Sequence, residues 1–170
     1  MALKPMTLGQ ASKFTSPNPL TLVCTQTPER KTNLAAVSWW TYLSFNPNLI
    51  GFAMNKASYS GEMVRQNQKV ALAMPGKDLA QAALSCGSVS GRDADKAEKF
   101  GIDLTSLPDC PIQVPVHSRV VIQCSLQQTV EAGDHYLYLC AVDQVYGDPA
   151  EQALFAWNGY AKLAGAVQEQ

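Results

Sequence analysis

Two long runs near the C-terminal end, RVVIQCSLQQTV at 119–130 and HYLYLCAVDQV at 135–145, alternate apolar and polar side chains and are separated only by EAGD. Strand-length alternation on both sides of a four-residue connection that contains Gly133 predicts an antiparallel hairpin, with His135 just after the turn. Few features constrain a chain more, because a hairpin this long must be continued by further strands to bury its apolar face. Alternate residues place His135, Leu137, Leu139 and Ala141 on one face and Tyr136, Tyr138, Cys140 and Val142 on the other. His135 thus opens a largely apolar stripe, either as a rim histidine held by one hydrogen bond or as a site residue.

Further strand signals precede the hairpin: the opening segment, LTLVCTQ at 20–26, AAVSWWTYLSF at 35–45, LIGFAM at 49–54 and KVALAM at 69–74, bounded by Pro, Gly, Asn and Asp. Helical signals are shorter. SYSGEMVRQNQ can be capped by Ser58 or Ser60, DLAQAALS starts at Asp78, and DADKAEKFG runs from Asp93 to Gly101. SLPDCPIQVPV, with three prolines, reads as an irregular connection. The fold class expected is mainly β with short helices, a closed or nearly closed barrel, and 170 residues make a single domain spanning 1–170.

Composition narrows the function. The net charge is −1 and the thirteen Lys and Arg are scattered, so no nucleic-acid partner is expected. No apolar stretch approaches the roughly 20 residues of a spanning helix, and MALKPMTLGQ lacks a signal-peptide core, so the expectation is a cytoplasmic protein with no membrane association. Five cysteines without C-x-x-C spacing indicate neither a disulfide framework nor a metal site. Cys24, Cys124 and Cys140 read as core residues, and Cys86 has no histidine to activate it.

Two helix starts look suited to an anion. AMNKASYSGEM supplies Lys56, Ser58 and Ser60 around a helix N-terminus, and CGSVSGRDADK supplies Ser88, Ser90 and two glycines, with Arg92 and Lys96 close behind. Both also read as ordinary caps. In NLAAVSWWTYLSF, strand alternation sends Trp39 and Trp40 to opposite faces, so one must face outward or into a ligand site.

Asn33 followed by VSWW, then FNPNLIGFAM, SYSGEMV, CGSVSGRDADKAEKFG and GDH opening a strand resembles the flavin reductase-like family of FMN-binding split β-barrels, in particular its flavoredoxin branch, over roughly residues 17–163. The resemblance implies a homodimer with FMN near the interface. It implies Asn33, Ser38 and Trp39 beside the ring or ribityl chain, Ala53, Met54, Asn55 and Lys56 along the cofactor, and Ser58, Ser60, Ser90 and Lys96 toward its phosphate. His135 would lie near the flavin in a catalytic role, and Tyr160 would close the C-terminal side. Alanine at 36 and Pro47-Asn48 depart from frequent threonine and Pro-Pro. The function so implied is hydride transfer from NADH or NADPH to FMN, with electrons passed to an acceptor protein or small molecule; the alternative is a non-enzymatic FMN electron carrier reduced by a partner protein.

Overall fold

The computed structural model describes residues 3–166. The chain opens with helix α1 (Leu8–Phe14), then strands β1 (Asn18–Pro19), β2 (Thr21–Gln26), β3 (Thr32–Val37), β4 (Trp40–Phe45) and β5 (Asn48–Asn55). Helix α2 (Tyr59–Asn67), strand β6 (Lys69–Pro75), a 3-10 turn over Lys77–Leu79, and helices α3 (Ala80–Cys86) and α4 (Lys96–Phe100) follow. Strands β7 (Leu104–Thr105), β8 (Val114–Pro115), β9 (Ser118–Ala132), β10 (His135–Gly147), β11 (Leu154–Trp157) and β12 (Lys162–Gly165) complete it. Among these residues no helix is long and apolar enough to cross a membrane.

The predicted hairpin is the spine of a seven-stranded antiparallel sheet in the order β3-β2-β6-β9-β10-β5-β4. Ala132 pairs with His135, leaving a turn of Gly133 and Asp134; Gly133 sits at φ +60°, a conformation that costs glycine nothing. β3 and β4 are the two outer strands, yet only Ser38 and Trp39 connect them. The three steps from Val37 to Trp40 span at most about 10 Å, so the sheet must curl until its edges almost meet. The result is a split barrel, and Trp39 lies at the split, where its carbonyl accepts the Ala53 N–H at 2.8 Å.

Alternation explains the two cores. Val23, Ile50, Phe52, Val70, Leu72, Ile122, Tyr138 and Cys140 form one cluster, while Leu22, Cys24, Ala71, Ala73 and Val121 turn to the other face. That second face is covered by α3, α4, β11 and β12 through Ala83, Cys86, Ala97, Phe100, Leu154, Ala156 and Leu163. In β10 the buried stripe is the Tyr138 and Cys140 face, so the stripe that His135 opens is only half-buried.

The structure departs from several sequence expectations. The opening segment is helical rather than extended, because Thr7 and Gln10 form a reciprocal capping box. The run 35–45 is two strands, since β3 pairs with β2 and β4 with β5. α4 is capped by Asp95, whose side chain accepts from Glu98 N–H, not by Asp93. Asp78 lies in the 3-10 turn and makes no cap, and α3 starts two residues later. The Pro-rich connection carries the short β8, which pairs with β7.

Candidate functional site

A cleft of about 610 Å³ opens at the split of the barrel, a volume typical of small-molecule sites. Its walls come from the β3–β4 crossing, the end of β5, the start of α2, the loop after α3, two residues of the C-terminal segment, and single residues of α1, β1, α4 and β10. Eleven of the thirteen residues singled out from the sequence line it: Ser38, Trp39, Ala53, Met54, Asn55, Ser58, Ser60, Ser90, Lys96, His135 and Tyr160.

The donors gather first. Ser58 is the N-cap of α2, its Oγ accepting from Gly61 N–H at 3.3 Å, and the helix's first-turn N–H groups carry partial positive charge. Ser60 is buried and reaches the cleft from that first turn. The loop 87–91 is fastened to α2 by Arg92, whose guanidinium lies over the Tyr59 ring and pairs with Glu62. Arg92 is therefore a clamp and does not line the cleft.

Lys96 carries the clearest electrostatic signature. Its side chain is buried, and Nζ donates to the carbonyls of Leu34 and Cys86, each at 2.8 Å. No carboxylate pairs with it among the described residues. Burial holds its pKa below the ordinary 10.5, opposed only by the nearby Cys86 thiol. A buried ammonium without a counter-charge is costly, and an anion entering the cleft is what would offset it. Cys86 also lines the cleft, but burial pushes its thiol up to about 11, with Lys96 lowering it less, so it is a poor nucleophile near neutral pH.

The aromatic group is separate in character. Trp39 is exposed, whereas Trp40 packs with Tyr42 and the inner core, so the pair divides as alternation requires. The Trp39 ring meets His135 at a centroid distance of 5.0 Å. His135 Nδ1 lies 2.8 Å from Asp134 Oδ1, and the histidine holds that carboxyl below the usual carboxylate range. With Nδ1–H donated to Asp134, the neutral ring presents Nε2 as an acceptor and becomes a donor there only as imidazolium. Desolvation raises the Tyr160 phenol above its ordinary value, with Ser38 opposing it less, so the phenol stays protonated near neutral pH.

Two expected residues are not at the cleft. Asn33 is buried behind it, bonded to Ser60 Oγ at 2.7 Å and Thr25 Oγ1 at 3.3 Å, because β3 turns it inward against α2. Lys56 points away, pairing with Glu131 across the hairpin and lying over the Tyr136 ring. Sequence reasoning missed Ser12, Val89 and Gly159 in the walls. Ser12 follows from the Thr7–Gln10 box, whose T-x-x-Q spacing is legible, while Gly159 reaches the cleft only through long-range packing.

The residues present suit a flavin mononucleotide: a buried lone cation, hydroxyls and a helix N-terminus for a phosphate, and an exposed aromatic surface for a planar ring. Residues 14–164 match the family described as Flavin reductase like domain. A flavin reductase of Pseudomonas putida is 26% identical over 146 residues, which is 84% of this chain and 81% of its own length. Flavoredoxin from Methanosarcina acetivorans superposes with a TM-score of 0.85 at 18% identity, covering 100% of this chain and 94% of that one. The FMN-binding protein from Thermus thermophilus, crystallised with bound 1-cyclohex-2-enone, gives 0.82 at 18% identity over 100% and 96%. At these identities the two structures establish likeness of fold.

Proposed function

The chain belongs to the flavin reductase-like family, and from that premise we propose that it is an FMN-binding oxidoreductase taking hydride from NADH or NADPH and passing electrons to a small-molecule or protein acceptor. The observation that carries the cofactor assignment is Lys96, buried at the cleft with two carbonyls and no carboxylate. The flavin bindings stated for the Thermus protein and implied by the Pseudomonas reductase's name support the same ligand class.

Bound flavin supplies the redox chemistry, and the protein supplies binding, orientation and electrostatics. Lys96, Ser58, Ser60 and Ser90 hold the phosphate. Tyr160, Ser38 and Trp39 bound the ring's surroundings and limit water. His135, oriented by Asp134, stands where it can hold or give a proton at Nε2 beside the ring or the incoming nicotinamide.

The assembly we propose is a homodimer. β4 is an outer strand exposing Tyr42, Leu43 and Phe45, an apolar row of the kind that calls for cover. A second chain laid there would also wall the adjacent split.

Oxidation of NADH and of NADPH, followed at 340 nm with and without added FMN, tests the activity. Flavin-dependent oxidation is expected. Bound flavin that NADH and NADPH leave oxidised, but that a reduced partner protein reduces, would instead establish the electron-carrier reading.

A further inference from the structure

Behind the cleft Thr25, Asn33 and Ser60 form a hydrogen-bonded group in which every member is buried, at 0%, 3% and 3% exposure. Asn33 Nδ2 donates to Ser60 Oγ at 2.7 Å and to Thr25 Oγ1 at 3.3 Å, so both amide hydrogens are used. Its Oδ1 has no hydrogen-bond partner and abuts Gly91, where a Cβ would fall only 2.0 Å from that oxygen. A glycine Cα–H can face a carbonyl oxygen favourably, whereas an amino group there would meet another donor. The contact therefore fixes which way the amide points.

The direction has a consequence for Ser60. A serine hydroxyl has one proton and two lone pairs, and one lone pair is taken by Asn33. The proton cannot return to Asn33, and Ser60 Oγ donates to no protein group among the described residues. Ser60 lines the cleft, so the proton is left for whatever lies there. We propose that Asn33 is a positioning residue that keeps Ser60 Oγ a donor toward the cleft, making this part of the site selective for an acceptor-only anionic oxygen, such as that of a phosphate monoester. Asn33 itself touches no ligand. Gly91 belongs to the same device, because any side chain there would displace the oxygen that orients the amide.

The inference rests on the FMN reading, and binding alone can test it. FMN and riboflavin are titrated by flavin fluorescence into the parent protein, Asn33→Ala, Ser60→Ala and the double variant. One charge-assisted donor lost should lower the FMN-to-riboflavin affinity ratio about tenfold or more. Asn33→Ala should do this with riboflavin affinity nearly unchanged, and should add nothing to the ratio once Ser60 is alanine. If Asn33→Ala does not fold, Asn33→Leu keeps the volume and removes the donor. Equal loss of both flavins, an unchanged ratio, or an equal effect with and without Ser60 would overturn the positioning role. A parent protein with no preference for FMN would overturn the FMN reading itself, and this inference with it.

Discussion

The indole of Trp39 and the imidazole of His135 lie 5.0 Å apart, their planes tilted by 37°. One comes from the crossing between the two outer strands and the other from the first residue of β10, more than ninety positions later. They join the crossing between the outer strands to the interior strand β10 at the mouth of the cleft, and neither is part of the donor group around Lys96.

That separation predicts two distinguishable kinds of variant. Trp39→Ala and His135→Ala should weaken FMN and riboflavin by the same factor, on the order of three- to tenfold for a lost aromatic contact of about 0.5 to 1.5 kcal/mol. Parallel fluorescence titrations check this; selective loss of FMN would place these rings at the phosphate.

Lys96 predicts the pH dependence of binding. Burial lowers its folded-state pKa below the 10.5 of the unfolded chain. The penalty of holding it charged is fully present below the folded value and is relieved as pH rises through that value toward 10.5. An anion in the cleft favours the charged form, so FMN binding should weaken as pH rises through the folded value, on the acid side of 10.5, while riboflavin binding should not. Lys96→Met should remove the difference between the two pH profiles.

Much of this arrangement was legible in the sequence, for physical reasons that differ by element. The long hairpin announced itself because both strands keep period-two alternation up to a glycine turn, and Ser58 because a cap is a local device. The break at Ser38 was not legible: no Gly or Pro marks it, and it exists only because β3 and β4 pair with different partners. Lys56 resembled a cofactor lysine until Glu131, 75 residues away, claimed it. The layer in which Asn33 lies was not legible, since its burial behind Ser60 depends on how α2 packs on β3. The resemblance, rather than periodicity, supplied the flavin.

Gly61 predicts a stability effect with a built-in control. A Cβ there would lie 2.4 Å from the hydroxyl of Tyr138, which is fully buried and bonded to Arg65 Nη1 at 2.5 Å. Alanine's better helix propensity contributes about 1 kcal/mol, but overpacking of this kind costs about 1 to 3 kcal/mol. Gly61→Ala should lower the denaturant midpoint in the parent protein and should lose that penalty in the Tyr138→Phe background, where the propensity gain remains.

The exposed row on β4 predicts self-association. Sedimentation at micromolar concentration should give a dimer, and charging the row by Tyr42→Glu together with Phe45→Glu should give a folded monomer with circular dichroism unchanged. A monomeric parent protein that binds FMN would remove the dimer proposal.

The central claim is that the cleft at the barrel split is built for a flavin bearing a terminal phosphate, and isothermal titration of the flavin-free protein with FMN and with riboflavin tests it most directly. The arrangement of Lys96, Ser58, Ser60 and the α2 N-terminus predicts FMN bound at least about tenfold tighter, from charge-assisted contacts of about 1.5 to 3 kcal/mol. Equal affinities, or no binding of either flavin, would contradict it.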